Sequence, residues 1–515
     1  MTGEEMERMI EFLMKIFLPH FQHYFGSTPM KHHSRSLLSL ILLLSLLSQV
    51  SFAQQPAGVQ VTSARLAGDI LVNGRAMEYM QTLSDKFGGR LTGSAAYDRS
   101  AEWAAEQFRA AGIKDVRLEP FQVENTWTRG AARARMIAPL ERTLHLESLG
   151  WSPATPPNGV RGEVYLLADL SRDFIKKESN KIKGRIVMLD LSALAKDGYG
   201  AFSKLVAAQQ FLKDAGASAV IIGGSDPDNV PNAFSLNWGA KISPLPLAQV
   251  GMEDAKLLGR LLPLGAVTLE FQYQNQTGGT TEDNNVVAEI RGRERPDEWI
   301  IIGAHLDSWD FGTGAQDNGT GCAMVLEAAR AIAALPTPPR RSIRFALWGG
   351  EEQGLLGSAA YVRAHAKELK DCVAALNTDN GAGHPRGWKV EGRADLQEAM
   401  SPLSKTLLAG IGGDALSPEL TFDTDHGHFM LAGIPSLDLW VDMEHYDDVH
   451  HKSSDTVDKV VAHNLVAGAS VVAITAHALA ERLERIAPHI KREATSDLLK
   501  KANLEEFLKA VGVWK

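Results

Sequence analysis

Continuous apolar runs and stretches with helical spacing follow one another through the second half of the chain. The run at residues 300–302 is apolar on both faces, which is typical of parallel strands covered on both sides. Strands are predicted at residues 284–290, 298–305, 340–349, 373–379 and 434–441. Helical spacing predicts helices between them, at residues 321–335, 357–370 and 462–483. This alternation predicts an α/β fold in which helices flank a mostly parallel sheet.

The first half of the chain has a different pattern. Helical spacing predicts two helices between residues 63 and 112, on either side of the turn GGRLTGS at residues 88–94. A strand, a helix and a second strand are predicted later, at residues 184–191, 207–215 and 219–224. This block predicts a smaller inserted α/β domain. Because it holds few clustered histidine or acidic residues, we interpret it as a lid that shapes the substrate site and carries no chemistry of its own.

Changes of pattern divide the chain into five parts. They are an upstream segment with a secretory signal peptide (1–53), the N-terminal part of the larger domain (54–135), the inserted domain (136–280), the main part of the larger domain (281–485) and a C-terminal helical tail (486–515). The tail is charged, so we expect it to be solvated or to form an interface.

The N-terminal segment has the features of a signal peptide. Basic residues precede the apolar run at residues 37–47, and a small-residue cleavage site follows at Ser51-Phe52-Ala53. The run is shorter than the roughly 20 residues that a membrane-spanning helix needs. We therefore predict cleavage after about Ala53, a secreted or extracytoplasmic protein (periplasmic or extracellular) and no stable membrane span. Met30 stands where such a signal normally begins, so Met1 and Met30 both remain possible starts.

Composition narrows the class of protein. The 515 residues are 44% hydrophobic and 22% charged, with a formal net charge of -9, which is ordinary for a soluble globular protein. No basic face is present to neutralise a phosphate backbone, so we expect no nucleic-acid partner. The two cysteines, Cys322 and Cys372, do not make a disulfide framework. We expect small buried side chains there, although one bridge remains possible.

Five short polar segments end or follow predicted strands. They are AHLDSWD (304–310), GAQDNGTG (314–321), WGGEEQGLLGS (348–358), LNTDNGAG (376–383) and VHHKSSDT (449–456). Ligands of open α/β sheets collect at the carboxyl ends of the strands, so these segments are expected to meet. Each segment alone is a weak signal, because a histidine at a strand end is usually structural.

Together the segments supply two histidines and three carboxylates, a donor mixture that zinc accepts in catalytic sites. Two zinc ions per chain need a bridging carboxylate and about two terminal ligands each. Asp317 stands on a glycine-flanked turn and is the predicted bridge. His305 and Asp379 are predicted to bind one metal, and Glu352 and His451 the other. His450 is a spare histidine beside the predicted ligand.

Three further acidic residues are given roles. Glu351 is adjacent to the ligand Glu352 and points to another side, so it is predicted to be the general base that activates water. Asp307 is predicted to accept the second imidazole proton of His305 and so to orient that ring, or else to cap a turn. Asp455, beside Thr456, is predicted to be an N-cap of the last helix of the larger domain.

These residues resemble the carboxypeptidase Q, or plasma glutamate carboxypeptidase, branch of the co-catalytic zinc exopeptidases. HLDSWD, GAQDNG, LWGGEEQG and HH..SDT are similar to the metal segments of that family, and GGRLTGS, LEPF, WTRG and LGWSPATPPNGV extend the resemblance over about residues 65–480. The family's ligand stands four residues before Asp455, which is His451. Asn318 departs from the family, in which many members carry a second aspartate there.

The resemblance implies the same roles for these residues, a protease-associated domain as the insert, a homodimer, and a cis peptide between Asp317 and Asn318. It also implies hydrolysis of dipeptides or short peptides by dipeptidase or carboxypeptidase action. The alternative is an aminopeptidase with the same di-zinc site, for which Glu351 and Asp425 are acids available to a substrate amine. A non-catalytic binding ectodomain is a third hypothesis, disfavoured because all ligand positions are filled.

Overall fold

Strands are distributed along most of the computed structural model, which describes residues 57–189 and 199–515. In chain order they are β1 (Asp115–Val123), β2 (Trp127–Thr128), β3 (Ala132–Ala138), β4 (Arg142–Leu144), β5 (Leu146–Ser148), β6 (Val160–Leu167), β7 (Ile186–Leu189), β8 (Ala219–Gly223), β9 (Leu247–Val250), β10 (Thr268–Tyr273), β11 (Gln276–Thr277), β12 (Thr281–Ile290), β13 (Arg295–His305), β14 (Arg341–Trp348), β15 (Cys372–Asn377), β16 (Pro385–Lys389), β17 (Ala415–Ser417) and β18 (Ser436–Val441). The predicted signal peptide at residues 1–53 lies outside the described residues.

Helices alternate with these strands. They are α1 (Ala57–Asn73), α2 (Ala76–Gln81), α3 (Ala95–Ala110), α4 (Arg172–Lys177), α5 (Ser179–Ile182), α6 (Tyr199–Asp214), α7 (Met252–Leu261), α8 (Thr320–Ala333), α9 (Leu356–Ala364), α10 (Ala394–Leu407), α11 (His426–Leu431), α12 (Ala462–Glu481), α13 (Arg492–Lys501) and α14 (Glu505–Ala510). The predicted helices at 321–335 and 462–483 correspond to α8 and α12. The one predicted at 357–370 ends early, at Ala364, and a short 3-10 turn follows at Leu369–Asp371.

The larger sheet has the strand order β1-β12-β14-β13-β15-β18-β16-β17. Its central strands β14, β13, β15 and β18 run parallel. β1 and β12 pair antiparallel on one side, and β16 pairs antiparallel with β18 on the other. The predicted α/β fold with flanking helices is confirmed, and the parallel pairing is concentrated in the centre of the sheet.

Strand β13 shows why its sequence is a continuous apolar run. Ile300 and Ile302 are buried in the core that α8 and α12 share, whereas Ile301 is buried in a second core with Trp348 and Phe429. Both faces of the strand are therefore removed from water, as parallel strands between helices require.

Helix α12 is the described helix whose length and hydropathy would suit a membrane span. Of its apolar window, 72% is buried inside the protein. It packs against α8 and against the larger sheet. This burial is what the core helix of a globular domain shows, because an apolar helix needs an apolar partner on every face that it presents.

The smaller sheet is built from the inserted block, with the order β4-β3-β10-β6-β7-β8-β9-β5. Strands β6 to β9 run parallel at its centre. Alternate residues of β7 face different cores, Ile186 on the side of α7 and Val187 on the side of α6. Residues 58–515 nevertheless form one compact unit, in which Trp151, Ala233 and Ala240 of the inserted block are buried in the core of the larger domain.

The C-terminal tail differs from the prediction of a solvated or interface segment. Leu499, Leu504, Phe507, Leu508 and Trp514 are buried and pack with Leu355 and Phe422. Exposed charged residues such as Arg492, Lys500 and Lys509 lie on the outer faces of α13 and α14, and the apolar faces of these helices pack against the larger domain. The tail therefore belongs to the packed core of the chain.

Candidate metal centre

The predicted ligands meet at the carboxyl ends of the central strands. His305 is the last residue of β13, Glu351 and Glu352 follow β14, and Asp379 follows β15. These strands are neighbours in the sheet, so their ends are close together. The sheet itself therefore positions four of the side chains.

Loops bring in the other two ligands. Asp317 lies in a kinked turn (Ala315–Gly319) that leads into α8, and its own backbone is not helical, with φ of -116° and ψ of 92°. His451 lies in the connection between β18 and α12, and its backbone is left-handed, with φ of 60°. Residues with a β-carbon adopt that conformation only where the surroundings hold it.

The two carboxylate oxygens of Asp317 face different groups. Its Oδ1 is 3.1 Å from Nε2 of His305, and the same nitrogen is 2.9 Å from Oδ1 of Asp379. Its Oδ2 is 3.3 Å from Nε2 of His451, which is 3.1 Å from Oε2 of Glu352. The side chains therefore form two half-sites. The first half-site is His305 with Asp379, the second is Glu352 with His451, and Asp317 lies between them.

This donor set fits divalent cations such as zinc. The side chains of His305, Asp317 and Glu352 are 1%, 7% and 3% exposed, and each offers a ligand atom within 4.8 Å of the others. Buried carboxylates this close together repel one another unless positive charge lies between them. Imidazole and carboxylate donors in this proportion are what zinc takes in catalytic sites.

The pKa shifts of the candidate ligands also indicate that positive charge is favoured at this site. Burial by itself would lower the pKa of His305, but Asp379 and the other adjacent carboxylates raise it well above its ordinary value. Burial by itself would raise the pKa of Asp317, but the imidazoles of His305 and His451 hold it well below its ordinary range. The charged carboxylate of Asp317 is thus stabilised by cationic neighbours, a role that a metal ion would also fill.

The two adjacent glutamates have different surroundings. Burial raises the pKa of Glu351 well above its ordinary value, and Asp379 and Glu352 raise it further. Glu352 contacts His451, whereas Glu351 has a carboxylate oxygen within 4.8 Å of ligand atoms of His305 and Asp379. A buried carboxylate with a raised pKa is suited to taking a proton and returning it.

Asp307 holds the glutamate segment in place. The Nδ1 atom of His305 is 2.9 Å from the main-chain oxygen of Asp307 and 3.7 Å from its carboxylate, so both groups of Asp307 face this nitrogen and the main-chain oxygen is the nearer. The carboxylate also accepts hydrogen bonds from the backbone N–H groups of Glu351 at 3.2 Å and Glu352 at 3.4 Å, and from the hydroxyl of Thr92 at 2.9 Å.

Asp455 acts on the turn that carries Asp317, and the prediction that it caps the following helix is wrong. Its carboxylate accepts the backbone N–H of Gln316 at 2.7 Å and that of Asp317 at 3.1 Å. Helix α12 begins at Ala462, with Val461 in its N-cap position. The carboxylate of Asp455 therefore binds N–H groups of another loop, which is adjacent to it in space.

Asn318 joins two of the ligand segments. Its side-chain amide donates to the main-chain oxygen of Thr378 at 2.9 Å, and its side-chain oxygen accepts the N–H of Gly321 at 3.0 Å. These contacts link the turn of Asp317 to the residue before Asp379. The peptide bond between Asp317 and Asn318 is cis, as the family resemblance implies.

Sequence patterns did not reveal Arg90, which lies under the site. Its guanidinium is fully buried and donates to the main-chain oxygens of Leu306, Leu83, Gly88, Thr313 and Gly314. It therefore connects the helical N-terminal segment with both loops that flank the first half-site. The turn motif GGRLTGS was the only signal in the sequence for this residue, and it does not indicate which loops the side chain reaches.

The remaining candidate residues are placed as follows. His450 has Nε2 at 3.6 Å from Asp317, and its ring stacks on His451 with 3.8 Å between centroids. Asp425 is completely buried, so it offers no surface to a substrate amine, contrary to the expectation that it was available. Cys322 and Cys372 are both buried free thiols, as the preferred interpretation predicts.

A pocket of about 620 Å³ is lined by chain neighbours of the candidate ligands, although none of the ligands forms part of its wall. Gln316 and Asn380, the chain neighbours of Asp317 and Asp379, form part of its wall. The ring of Tyr446 lines it as well and stacks on His450 with 5.0 Å between centroids. The exposed acids Glu444 and Asp448 are among its lining residues and give the pocket negative charge.

Comparison with known proteins agrees with this geometry. Residues 285–476 match the model of peptidase family M28. Rat carboxypeptidase Q is 27% identical over 426 residues, covering 80% of this chain and 86% of the relative. Aminopeptidase YwaD of Bacillus subtilis is 27% identical over 398 residues, covering 75% of this chain and 80% of the relative.

A solved structure is similar over nearly all of its length. The crystal structure of a peptidase M28 precursor from Shewanella amazonensis superposes with a TM-score of 0.74 and 29% sequence identity, covering 84% of this chain and 99% of that chain. The M28 match spans all five predicted ligands, from His305 to His451. The chain therefore contains a peptidase family M28 domain at residues 285–476, and over most of its length it is similar to zinc metallopeptidases of that family.

Proposed function

We propose that this protein is a secreted di-zinc exopeptidase that hydrolyses dipeptides or short peptides. The observation that carries the proposal is Asp317, whose two oxygens face two separate pairs of one histidine and one carboxylate. A carboxylate shared by two such pairs is the arrangement that a two-metal hydrolase needs. His305 and Asp379 would hold one zinc ion, and Glu352 and His451 the other.

When bound, the zinc ions would polarise the scissile carbonyl and lower the pKa of the attacking water. Glu351 accepts the proton of that water and returns it to the leaving amine, which its buried position and raised pKa suit. Asp307 holds the Glu351 segment in position by accepting the backbone N–H of Glu351. Nδ1 of His305 faces the main-chain oxygen of Asp307, which leaves Nε2 as the ring nitrogen that would bind the metal.

Action on the ends of short peptides is supported by the pocket that chain neighbours of the candidate ligands line. It has a volume of about 620 Å³ and is bounded by the loop that carries Tyr446 and Val449. A pocket of this size accommodates one or two residues of a substrate. The similarity to carboxypeptidase Q over 80% of the chain favours dipeptidase or carboxypeptidase action.

Aminopeptidase action with the same di-zinc site is the second candidate. Glu444 and Asp448 give the pocket negative charge, which would attract a substrate's α-amine. Aminopeptidase YwaD is as similar in sequence as rat carboxypeptidase Q over a slightly shorter stretch. Blocking one terminus of the substrate at a time separates the two candidates.

Three broader features belong to the same proposal. The N-terminal basic and apolar pattern supports secretion, so the protein would act outside the cytoplasm. The unit built on the smaller sheet would be a protease-associated domain, between residues 136 and 280. The family resemblance supports a homodimer, which the mass of the mature protein in solution would test.

The experiment that tests the function measures metal and activity together. The purified mature chain is analysed for zinc, and hydrolysis of Ala-Leu is followed before chelation, after chelation and after zinc is restored. We expect about two zinc ions per chain, with activity lost on chelation and recovered with zinc. N-acetylated and C-amidated dipeptides then assign the terminus. A folded chain that takes up no zinc and hydrolyses no dipeptide would refute the proposal.

A further inference from the structure

One loop of the smaller sheet contacts both segments of the second half-site. This loop, residues 225–243, is called the clamp loop below. The backbone N–H of Ala233 donates to the main-chain oxygen of the ligand His451 at 2.8 Å. The backbone N–H of Gly239 donates to the main-chain oxygen of Gln353, the residue after the ligand Glu352, at 2.7 Å.

An ion pair reinforces the contact at His451. Nζ of Lys452 is 2.5 Å from Oδ1 of Asp226 in the clamp loop, and the two side chains are 8% and 20% exposed. The same ammonium donates to the main-chain oxygen of Asp447 at 2.6 Å. A largely buried ion pair is costly to break from one side, because the remaining charge loses its partner. The residue after His451 is therefore fixed to the smaller sheet.

Packing reinforces the contact at the glutamate segment. A β-carbon on Gly354 would come within 2.5 Å of the Trp238 indole, so the turn after Glu352 lies flat against that ring. Trp238 is supported from behind by Phe507 of α14, with 6.0 Å between ring centroids. The C-terminal helix thus holds the indole against the glutamate turn.

The clamp loop is itself anchored to its sheet. The backbone N–H of Asn232 donates to the side chain of Gln249 in β9 at 2.7 Å, and the N–H of Gly150 donates to the main-chain oxygen of Phe234 at 2.8 Å. Asp228 and Asn229 have left-handed backbone conformations, which persist where the surroundings determine them. The loop is therefore a defined connection between the smaller sheet and the metal ligands.

The first half-site has a different support. His305 and Asp379 lie at the ends of two adjacent strands of the larger sheet. Among the described residues, no hydrogen bond or ion pair joins the clamp loop to either of them. His451, in contrast, lies in an irregular loop with a left-handed backbone and depends on neighbours for its position.

We propose that the clamp loop is the positioning element of the second half-site, so that the affinity of Glu352 and His451 for their metal depends on the smaller sheet. The inserted unit then has a role beyond covering the substrate site. The inference rests on the proposed di-metal site, and it assigns Asp226 and Lys452 as positioning residues that act through His451.

The test measures metal affinity, independently of turnover. Zinc is titrated into the demetallated full chain against a chromophoric chelator, for wild type, Asp226→Asn, Lys452→Gln and the double variant. Loss of an outer partner of a metal ligand typically costs about 10- to 100-fold in affinity. We expect that loss at one of the two sites, with the other site unchanged. We also expect little further loss in the double variant, because both changes break one ion pair.

Glu163→Gln is the matched control. It breaks an exposed ion pair of 2.8 Å with Arg185 in the same smaller sheet and should leave both zinc affinities unchanged. Equal weakening of both sites in Asp226→Asn, or no weakening of either, would overturn the clamp-loop proposal while wild type still binds two zinc ions. A wild-type chain that binds no zinc would instead sink the proposed function and this inference with it.

Discussion

The carboxylate of Asp307 accepts the backbone N–H of Glu351 at 3.2 Å, which ties the candidate general base to the loop of the ligand His305. The same carboxylate accepts from Glu352 at 3.4 Å. One fully buried side chain thus fixes the main chain of the candidate base and of a ligand in the second half-site. Asp307 therefore connects the two half-sites through the protein.

Replacing Asp307 by asparagine should lower activity without unfolding the chain. The amide keeps the shape but offers one neutral acceptor in place of two charged ones, so one of the two backbone N–H groups loses its partner. We expect kcat/KM for Ala-Leu to fall about 10- to 100-fold. Thr92→Val, which removes one donor and leaves both acceptors, should lose less activity. An Asp307→Asn enzyme within twofold of wild type would contradict the role assigned to this carboxylate.

Replacing Glu351 by glutamine should separate chemistry from metal binding. Glutamine has the same size but cannot accept and return a proton, so kcat should fall about 100- to 10,000-fold. Zinc content should stay at the wild-type level, because the ligands are untouched. Glu351→Asp keeps a base on a shorter side chain and should give an intermediate rate. If Glu351→Gln kept near-normal turnover, another group would have to be the base.

The ion pair between His365 and Glu119 should make stability depend on pH. Nε2 of His365 is 2.9 Å from Oε2 of Glu119, and this hydrogen bond is the main reason that the pKa of His365 is raised. A raised folded-state pKa adds stability that is fully present below the unfolded pKa of about 6.5 and is lost as pH rises through the folded value. Glu368 and Tyr361 also face the imidazole.

We therefore expect His365→Gln to lower the free energy of unfolding more at acidic than at alkaline pH. Urea denaturation on the two sides of the titration measures the difference from wild type. His463→Gln, at an exposed position without an ion pair to a described residue, is the control and should show no such pH dependence. A destabilisation by His365→Gln of equal size at both pH values would mean that the charged pair adds nothing.

The packed C-terminal tail should contribute to stability. Phe507 is 6% exposed and contacts Phe202 and Trp238, so Phe507→Ala leaves a cavity at the junction of α6, the clamp loop and α14. We expect a loss of about 3 kcal/mol in the free energy of unfolding, measured by urea denaturation. Lys509→Ala on the exposed face of α14 should change it by less than about 0.5 kcal/mol. A similar small change for Phe507→Ala would restore the prediction of a solvated tail.

Much of the larger sheet could be predicted from the chain itself. Residues 300–302 form an apolar run, which predicts a strand covered on both faces. Each later strand predicted from an apolar run is followed by a polar segment, so the strand ends and the candidate ligands can be identified together. The short strands β16 and β17 at one end of the larger sheet were not predicted, because short strands carry too few positions to show a pattern. The same limit applies to α11, which has six residues.

The α/β class and the short segments that hold the candidate ligands could be inferred from the amino-acid sequence, because both follow from local patterns and from chain neighbours. The partners of Asp455, Arg90 and the clamp loop became visible in the folded chain alone. Their hydrogen bonds join residues far apart in the chain, such as Asp455 with Gln316 and Ala233 with His451. Such contacts form when packing brings polar groups out of water next to each other, and buried N–H and C=O groups then take whichever partner is nearest in space.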